Sequence, residues 1–328
     1  MRRVSLNRHG APDVLAFETV EAPQPGVGEI QIQVRALGLN RAEALMRAGT
    51  YIERPAPPSG LGLEAAGVVT KLGDGVEGFM PGEAVSVIPP ISMVQWPTHA
   101  EYICVPIDRV VKHPANLGWE EAAAAWMQYL TAFGALVEVA KLRRGDTLVI
   151  TAASSSVGLA AIQIANVIGA IPIACTRDSG KRQALVYAGA AHVIVTDEED
   201  LALRLDEIAG SAGVQVVLDA VGGPIFEPLT NAMARGGILI EYGGLSEKPT
   251  PFPLPAVLSK SLTLRGYLVH EITGDPERLS RAKRWILDGL EAGTLRPIIA
   301  KTFPFEQIVD AHRYLESNEQ FGKIVVTL

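Results

Sequence analysis

The sequence predicts an α/β fold in which a doubly wound parallel sheet follows a compact β-rich domain. Three observations carry that expectation. Residues 147–170, TLVITAASSSVGLAAIQIANVIGA, begin as an apolar β-branched run, break into small residues at 152–156, and resume with Val157, Ala161, Ile164, Ala165 and Ile168 at helical spacing. That pattern reads as strand, tight turn and helix. The unit then repeats, with strands at 171–176 and 192–195 either side of a helix at about 179–188. Upstream, to about residue 106, the chain reads as short strands punctuated by Gly and Pro. At 328 residues it exceeds one comfortable core, so two domains are expected.

Taken in order, Ile30, Ile32 and Val34 alternate with Gln31, Gln33 and Arg35, and further extended runs follow at 65–70, 84–88 and 100–105. A helical stretch over 119–140 opens with Trp119, Glu120 and Glu121, acids placed at the positive end of a helix dipole, and bridges the domains. In the central unit Ser154, Ser155 and Ser156 stand at the helix entry, where hydroxyls cap free N–H groups and small residues leave room for a phosphate. We read this turn as a dinucleotide pyrophosphate site. The glycine fingerprint usual there survives only at Gly158, with Ala152 and Ser155 at the earlier small positions. A buried strand and helix without a ligand is the bland alternative. A membrane span fits the run worse still, because the three serines, Gln163, Asn166 and Pro172 interrupt the apolar length it needs.

Beyond the third strand come an acidic helix around 201–208, a strand at 214–219, a helix near 224–233 and a strand at 237–242. Pro249, Pro251, Pro253 and Pro255 predict a stiff crossing loop that is neither regular helix nor central strand. Residues 262–268 are strand-like, 276–290 form an amphipathic helix and 321–328 a closing strand, all expected to return to the first domain. The expected boundaries are 1–124 and 265–328 for the β-rich domain and 125–264 for the dinucleotide-binding domain.

With 48% hydrophobic and 20% charged residues the chain is ordinary globular material. A net charge of −7 argues against a general nucleic-acid or anionic-membrane binder. Met1-Arg2-Arg3 is basic, but residues 4–10 hold no apolar signal core; with Cys104 and Cys175 both in apolar runs, a reducing cytoplasmic setting is expected.

Five stretches together resemble the medium-chain dehydrogenases/reductases, in their zinc-free quinone oxidoreductase branch, over essentially the whole length. They are NRAEALMRAGTY (40–51), PSGLGLEAAGVV (58–69), QYLTAFG (128–134), the 152–158 turn and GKIV (322–325). The resemblance implies a GroES-like β-barrel domain beside a Rossmann domain, NADPH in the cleft between them, and a homodimer formed through the Rossmann sheets. Zinc alcohol dehydrogenases of this family place a cysteine where Asn40 stands and a histidine where Leu63 precedes Glu64. The third family position, near Met127 and Gln128, offers no ligand either, and a structural zinc lobe needs four cysteines where this chain has two. No metal is expected, and His99, His113, His192, His270 and His312 have no mutual metal spacing.

Cofactor choice is written after the second strand of such a fold, where an acid selects NAD. Here the run is TRDSGK, and Arg177 and Lys181 suit a 2′-phosphate, with Thr176 or Ser179 adding hydroxyls. NADPH is therefore expected, although the same residues also read as solvated charges at a helix start, and Asp178 keeps NADH open. The resemblance supports Lys181 most directly. It also implies cofactor contacts from Ser154, Ser155, Ser156, Val157 and Gly158, from Thr131 and Thr196, from Val221 and Gly222, from Tyr242 and Gly243, and from Asn318. The glycines equally read as ordinary turn residues. At acceptor positions it places Asn40, Tyr51 and Gln128 as catalytic candidates, with Leu45 replacing a tyrosine of some relatives. Tyr51 as a plain core aromatic is the competing reading.

Three functions fit: an NADPH-dependent reductase of quinones or other electron-poor double bonds, a carbonyl or alcohol oxidoreductase, and a cofactor-bound regulatory protein without turnover. The first is favoured, because the second has lost the zinc Lewis acid that stabilises a developing alkoxide. The partner is then a small-molecule electron acceptor.

Overall fold

The structure is a computed structural model describing residues 1–328. Tertiary contacts divide the chain into two units, Met1–Gln128 with Leu287–Leu328, and Tyr129–Ile286.

The second unit is built on a six-stranded, wholly parallel sheet, in the order His192–Val195, Ile171–Thr176, Thr147–Ile150, Val214–Asp219, Met233–Glu241, Thr263–Gly266. The sheet grows in opposite directions from the Thr147–Ile150 and Val214–Asp219 pair, the kind of switch point at whose carboxyl end open α/β sheets bind ligands. The two central strands, Thr147–Ile150 and Val214–Asp219, are rich in β-branched residues and buried along nearly their whole length, as a helix-covered parallel sheet requires. The helix Ser156–Ile168 follows the first strand as the spacing predicts.

The first unit holds a seven-stranded sheet centred on Glu29–Gly38, which pairs antiparallel with Glu64–Leu72, Tyr102–Pro106 and Lys323–Thr327. The C-terminal strand in turn pairs parallel with Ile299–Pro304. Register brings Gly38 opposite both Glu64 and Val325, so one end of the sheet gathers residues from three distant segments. Ala122, Ala123 and Ala124 of the helix Trp119–Ala124 pack on Ala36, Ala66 and Val325. A Cβ at Gly38 would lie 2.2 Å from the Ala123 carbonyl oxygen, so only glycine permits that approach.

Three expectations need correction. The return to the first unit begins at Leu287 rather than at 265. Residues 265–286 stay with the parallel-sheet unit because Tyr267 reaches the Leu130 carbonyl, Trp285 packs on Phe133, and Arg278 and Arg281 pair with Glu138. The proline-rich crossing becomes helical at Leu254–Lys260 with Pro255 in the first turn, where its missing N–H would be unbonded in any residue. The single stretch 119–140 is three pieces, Trp119–Ala124, Trp126–Phe133 and a π-helical turn Gly134–Val139. No helix is long and apolar enough to cross a membrane.

Candidate functional site

In the parallel-sheet unit the candidate cofactor residues lie at the carboxyl ends of the strands. After Ile150 the chain turns through Ala152, whose φ of 46° is unusual for a residue with a side chain. Ser155 caps the following helix, its Oγ accepting from Gly158 N at 3.1 Å. A Cβ on Gly158 would lie 2.6 Å from Ala153 Cα, so the one fingerprint glycine retained is the one that lets helix and turn touch. The first amides of a helix have no partner within it, and those of Ser156 and Val157 stand here.

The next strand end carries the selectivity candidates. Lys181 Nζ donates to Ser154 Oγ at 3.4 Å, while Arg177 is exposed. Thr176 is buried, and its Oγ1 accepts from Asp178 N at 3.3 Å. Asp178 spends Oδ1 on Gly180 N at 2.8 Å, capping the short turn Ser179–Lys181. Thr196 donates from its N–H to the Thr176 carbonyl at 2.8 Å, tying two strand ends together.

Val221 and Gly222 are held from below by Asp219, whose two oxygens accept their N–H groups at 2.9 and 3.0 Å. Asp219 is fully buried and also accepts from Thr151 Oγ1 at 2.5 Å. Gly222 has φ of 65°, a conformation glycine adopts without strain. Gly243 passes so near Ala220 that a Cβ would lie 2.8 Å from its carbonyl oxygen. Burial pushes the Tyr242 phenol far up, opposed by a hydrogen bond with Ser155. Glu241, in register with Asp219, is raised to about 9 by burial and then by the Asp219 charge. Sequence reasoning missed Asp219 and Glu241; the signal was an acid ending each of two apolar strands.

Within the first unit the structure gathers Asn40 into a buried polar cluster. Asn40 precedes the helix Arg41–Ala48, and its N–H donates to Glu43 Oε2 at 3.0 Å. Its Nδ2 donates to Gly38 O and Glu64 Oε2, each at 3.1 Å, and to Glu43 Oε1 at 3.3 Å. Its Oδ1 accepts from Lys323 Nζ at 2.6 Å, and the same ammonium donates to Glu64 Oε2. Glu64 Oε1 accepts from Met127 N at 2.7 Å, and Glu43 Oε1 from Leu63 N at 3.1 Å. Burial raises the Glu43 carboxyl to about 7, against the pull of the Asn40 bonds and Lys323. His99 Nε2 stands 3.6 Å from Glu43 Oε2, but burial lowers its imidazole to about 3, so the contact is not an ion pair at neutral pH.

The other candidates of this unit are separate. Tyr51 is half-buried on the bend after that helix, its phenol pushed up by burial and then by Glu53 and Glu43. Asn318 ends the helix Ile308–Ser317 at φ of 60°, its Oδ1 accepting from Arg41 Nη2 at 2.5 Å. Gln128 is 2% exposed and its Oε1 has no protein donor. Thr131, which belongs to the parallel-sheet unit, is buried on the helix Trp126–Phe133. No three His, Cys, Asp or Glu side chains are grouped to hold a metal ion. Zinc does not fit beside Glu64: Asn40 and Leu63 supply no thiolate or imidazole, and both Glu64 oxygens are engaged by the ammonium and a backbone amide.

The chain is similar to known proteins over its whole length. Residues 26–132 match the alcohol dehydrogenase GroES-like domain, and residues 188–326 the zinc-binding dehydrogenase family. Quinone oxidoreductase 1 of Escherichia coli is 31% identical over 98% of this chain and 97% of its own. A 2-haloacrylate reductase of Burkholderia is 28% identical over 98% and 97%. The crystal structure of the Escherichia coli quinone oxidoreductase complexed with NADPH superposes with a TM-score of 0.92 at 29% identity, covering 100% of both chains.

Proposed function

The chain belongs to the quinone oxidoreductase branch of the medium-chain dehydrogenases/reductases, and from that premise we propose that it is an NADPH-dependent reductase of quinones or other electron-poor double bonds. The observation that carries this is the turn 152–158, where Ser155 and Gly158 shape a helix entry for phosphate while Lys181, bonded to Ser154, and the exposed Arg177 supply cations for a 2′-phosphate. Asp178, which in the sequence kept NADH open, spends one carboxylate oxygen on its own turn. The relatives support the acceptor class, since one is a quinone oxidoreductase and another a reductase of 2-haloacrylate, an electron-poor alkene.

Bound NADPH supplies a hydride. The chain's own residues place and polarise. Val221, Gly222 and Gly243 would let backbone approach the cofactor closely, with Asp219 locking the first two, while Thr131, Thr196 and Tyr242 of the same unit would complete its contacts. Asn40, Tyr51 and Gln128 serve the acceptor, whose oxygen gains negative charge as the double bond is reduced; a donor aimed at that oxygen contributes about 10²–10³ in rate. Tyr51 or water provides the proton. We take the protein as a cytoplasmic homodimer. The strand Thr263–Gly266 ends the parallel sheet, and Phe252, Leu254 and Leu258 stand exposed just before it, an apolar edge suited to a second copy.

Turnover of NADPH against a panel of quinones, enones and aldehydes tests the reading. Quinones or enones should turn over without added metal; activity confined to aldehydes or alcohols contradicts it. One observation favours a second reading, an NADPH-binding protein without turnover: every polar atom of the Asn40 amide is already engaged within the protein.

A further inference from the structure

Lys323 has no part in the chemistry just described, yet it is 1% exposed at the start of an apolar strand. An ammonium is not taken out of water at that depth without strong partners. Its stem lies against Gly38, where a Cβ would stand 2.8 Å from Lys323 Cε. Its head meets Asn40 Oδ1 and Glu64 Oε2. Glu64 extends the arrangement, because its other oxygen holds the N–H of Met127 at the entry to the helix Trp126–Phe133, one residue before Gln128. The Asn40 amide has two N–H hydrogens and three acceptors within 3.3 Å, so it has no donor left for an acceptor molecule. Gln128 differs: it is 2% exposed, its carbonyl oxygen has no donor, and its amide N–H2 is committed to no hydrogen bond within the protein, which leaves that N–H2 to donate to an acceptor oxygen.

We propose that Lys323 is a positioning residue for the reduction, holding Asn40 in place and, through Glu64, the backbone at Met127, so that Gln128 is the amide that meets the acceptor. This rests on the reductase reading and narrows it: Asn40 is scaffold, and Gln128 makes the contact.

The test separates positioning from simple charge neutralisation. Lys323→Met alone leaves Glu64 buried without its cation. In Lys323→Met/Glu64→Met both charges are gone, and replacing a buried ion pair by apolar side chains of similar size is often neutral for stability. The double variant should therefore melt within a few degrees of wild type and bind NADPH within about threefold. Its backbone amides at 126–130 should nevertheless exchange with deuterated water about tenfold faster or more, and its kcat for a quinone should fall at least about tenfold with KM changed less than about threefold. Wild-type exchange and kcat in a double variant of wild-type stability would overturn the proposal. Gln128→Leu, a change of similar volume, covers the case in which the double variant does not fold. It should lower kcat about tenfold or more with normal amide protection, and an unchanged kcat would overturn the role of Gln128. If wild-type protein turns over no acceptor, the reductase reading fails by itself, and amide exchange at 126–130 in Lys323→Met, which keeps the Glu64 oxygen on Met127 N, still decides whether Lys323 positions that helix entry.

Discussion

The two candidate regions are built by opposite means. Around the 152–158 turn and the Val221–Gly222 corner the shaping is done by backbone, small residues and single side chains such as Ser155 and Asp219, drawn from strand ends that follow one another along the chain. Around Asn40 it is done by side chains of three segments, with Lys323 lying 283 residues from its partner Asn40, and each carboxylate oxygen and amide atom finds a partner inside. A region that turns its amides outward is suited to receive a phosphate. A region that consumes its own polar groups is suited to hold something still.

The sharpest way to break the comparison is to unpair the second region. Lys323→Met should cost about 3–5 kcal/mol of folding stability, the usual penalty for leaving a buried partner charge alone, as measured by denaturant unfolding. An equivalent change in the first region should barely affect folding and act on binding instead. Lys181→Ala should weaken NADPH by about tenfold, or roughly 1–2 kcal/mol for a half-exposed charge-assisted contact, and leave NADH unaltered in paired titrations.

Titration separates two buried groups of opposite sign. Glu241, raised to about 9 from its ordinary 4.5, keeps its proton in the native state while the unfolded chain has lost it, so stability falls as pH rises across that window. Glu241→Gln should thus raise the melting temperature little near pH 5 and by several degrees near pH 9. His99, lowered to about 3 from 6.5, is neutral when native and charged when unfolded, so its cost appears as pH falls between those values. His99→Leu should flatten the acid limb and leave the alkaline limb alone; melting curves over pH 4–9 check both. The smallest effect belongs to Asp178→Ala. It loses a turn cap of about 1 kcal/mol, and because the carboxylate is occupied by Gly180 N, NADH affinity should move by less than about twofold.

How far each region was legible follows from its construction. The strands Ile171–Thr176 and Val214–Asp219 and the helix Ser156–Ile168 stand where periodicity puts them, because local spacing and burial agree there. The cluster around Asn40 was not legible, since Glu43, Glu64 and Lys323 meet only through the register that sets Gly38 opposite Glu64 and Val325. In sequence Lys323 is one cation opening a strand. The later return at Leu287 and the helix at Leu254–Lys260 escaped for different reasons: contacts with distant segments decide the first, and a favourable first-turn proline the second.

The central claim, hydride delivery to an electron-poor carbon, is tested most directly with NADPH deuterated at its transferable C4 position and an enone acceptor. The account predicts deuterium at the β-carbon of the product and solvent hydrogen at the α-carbon. Appearance of the C4 label in solvent water during productive turnover would contradict it.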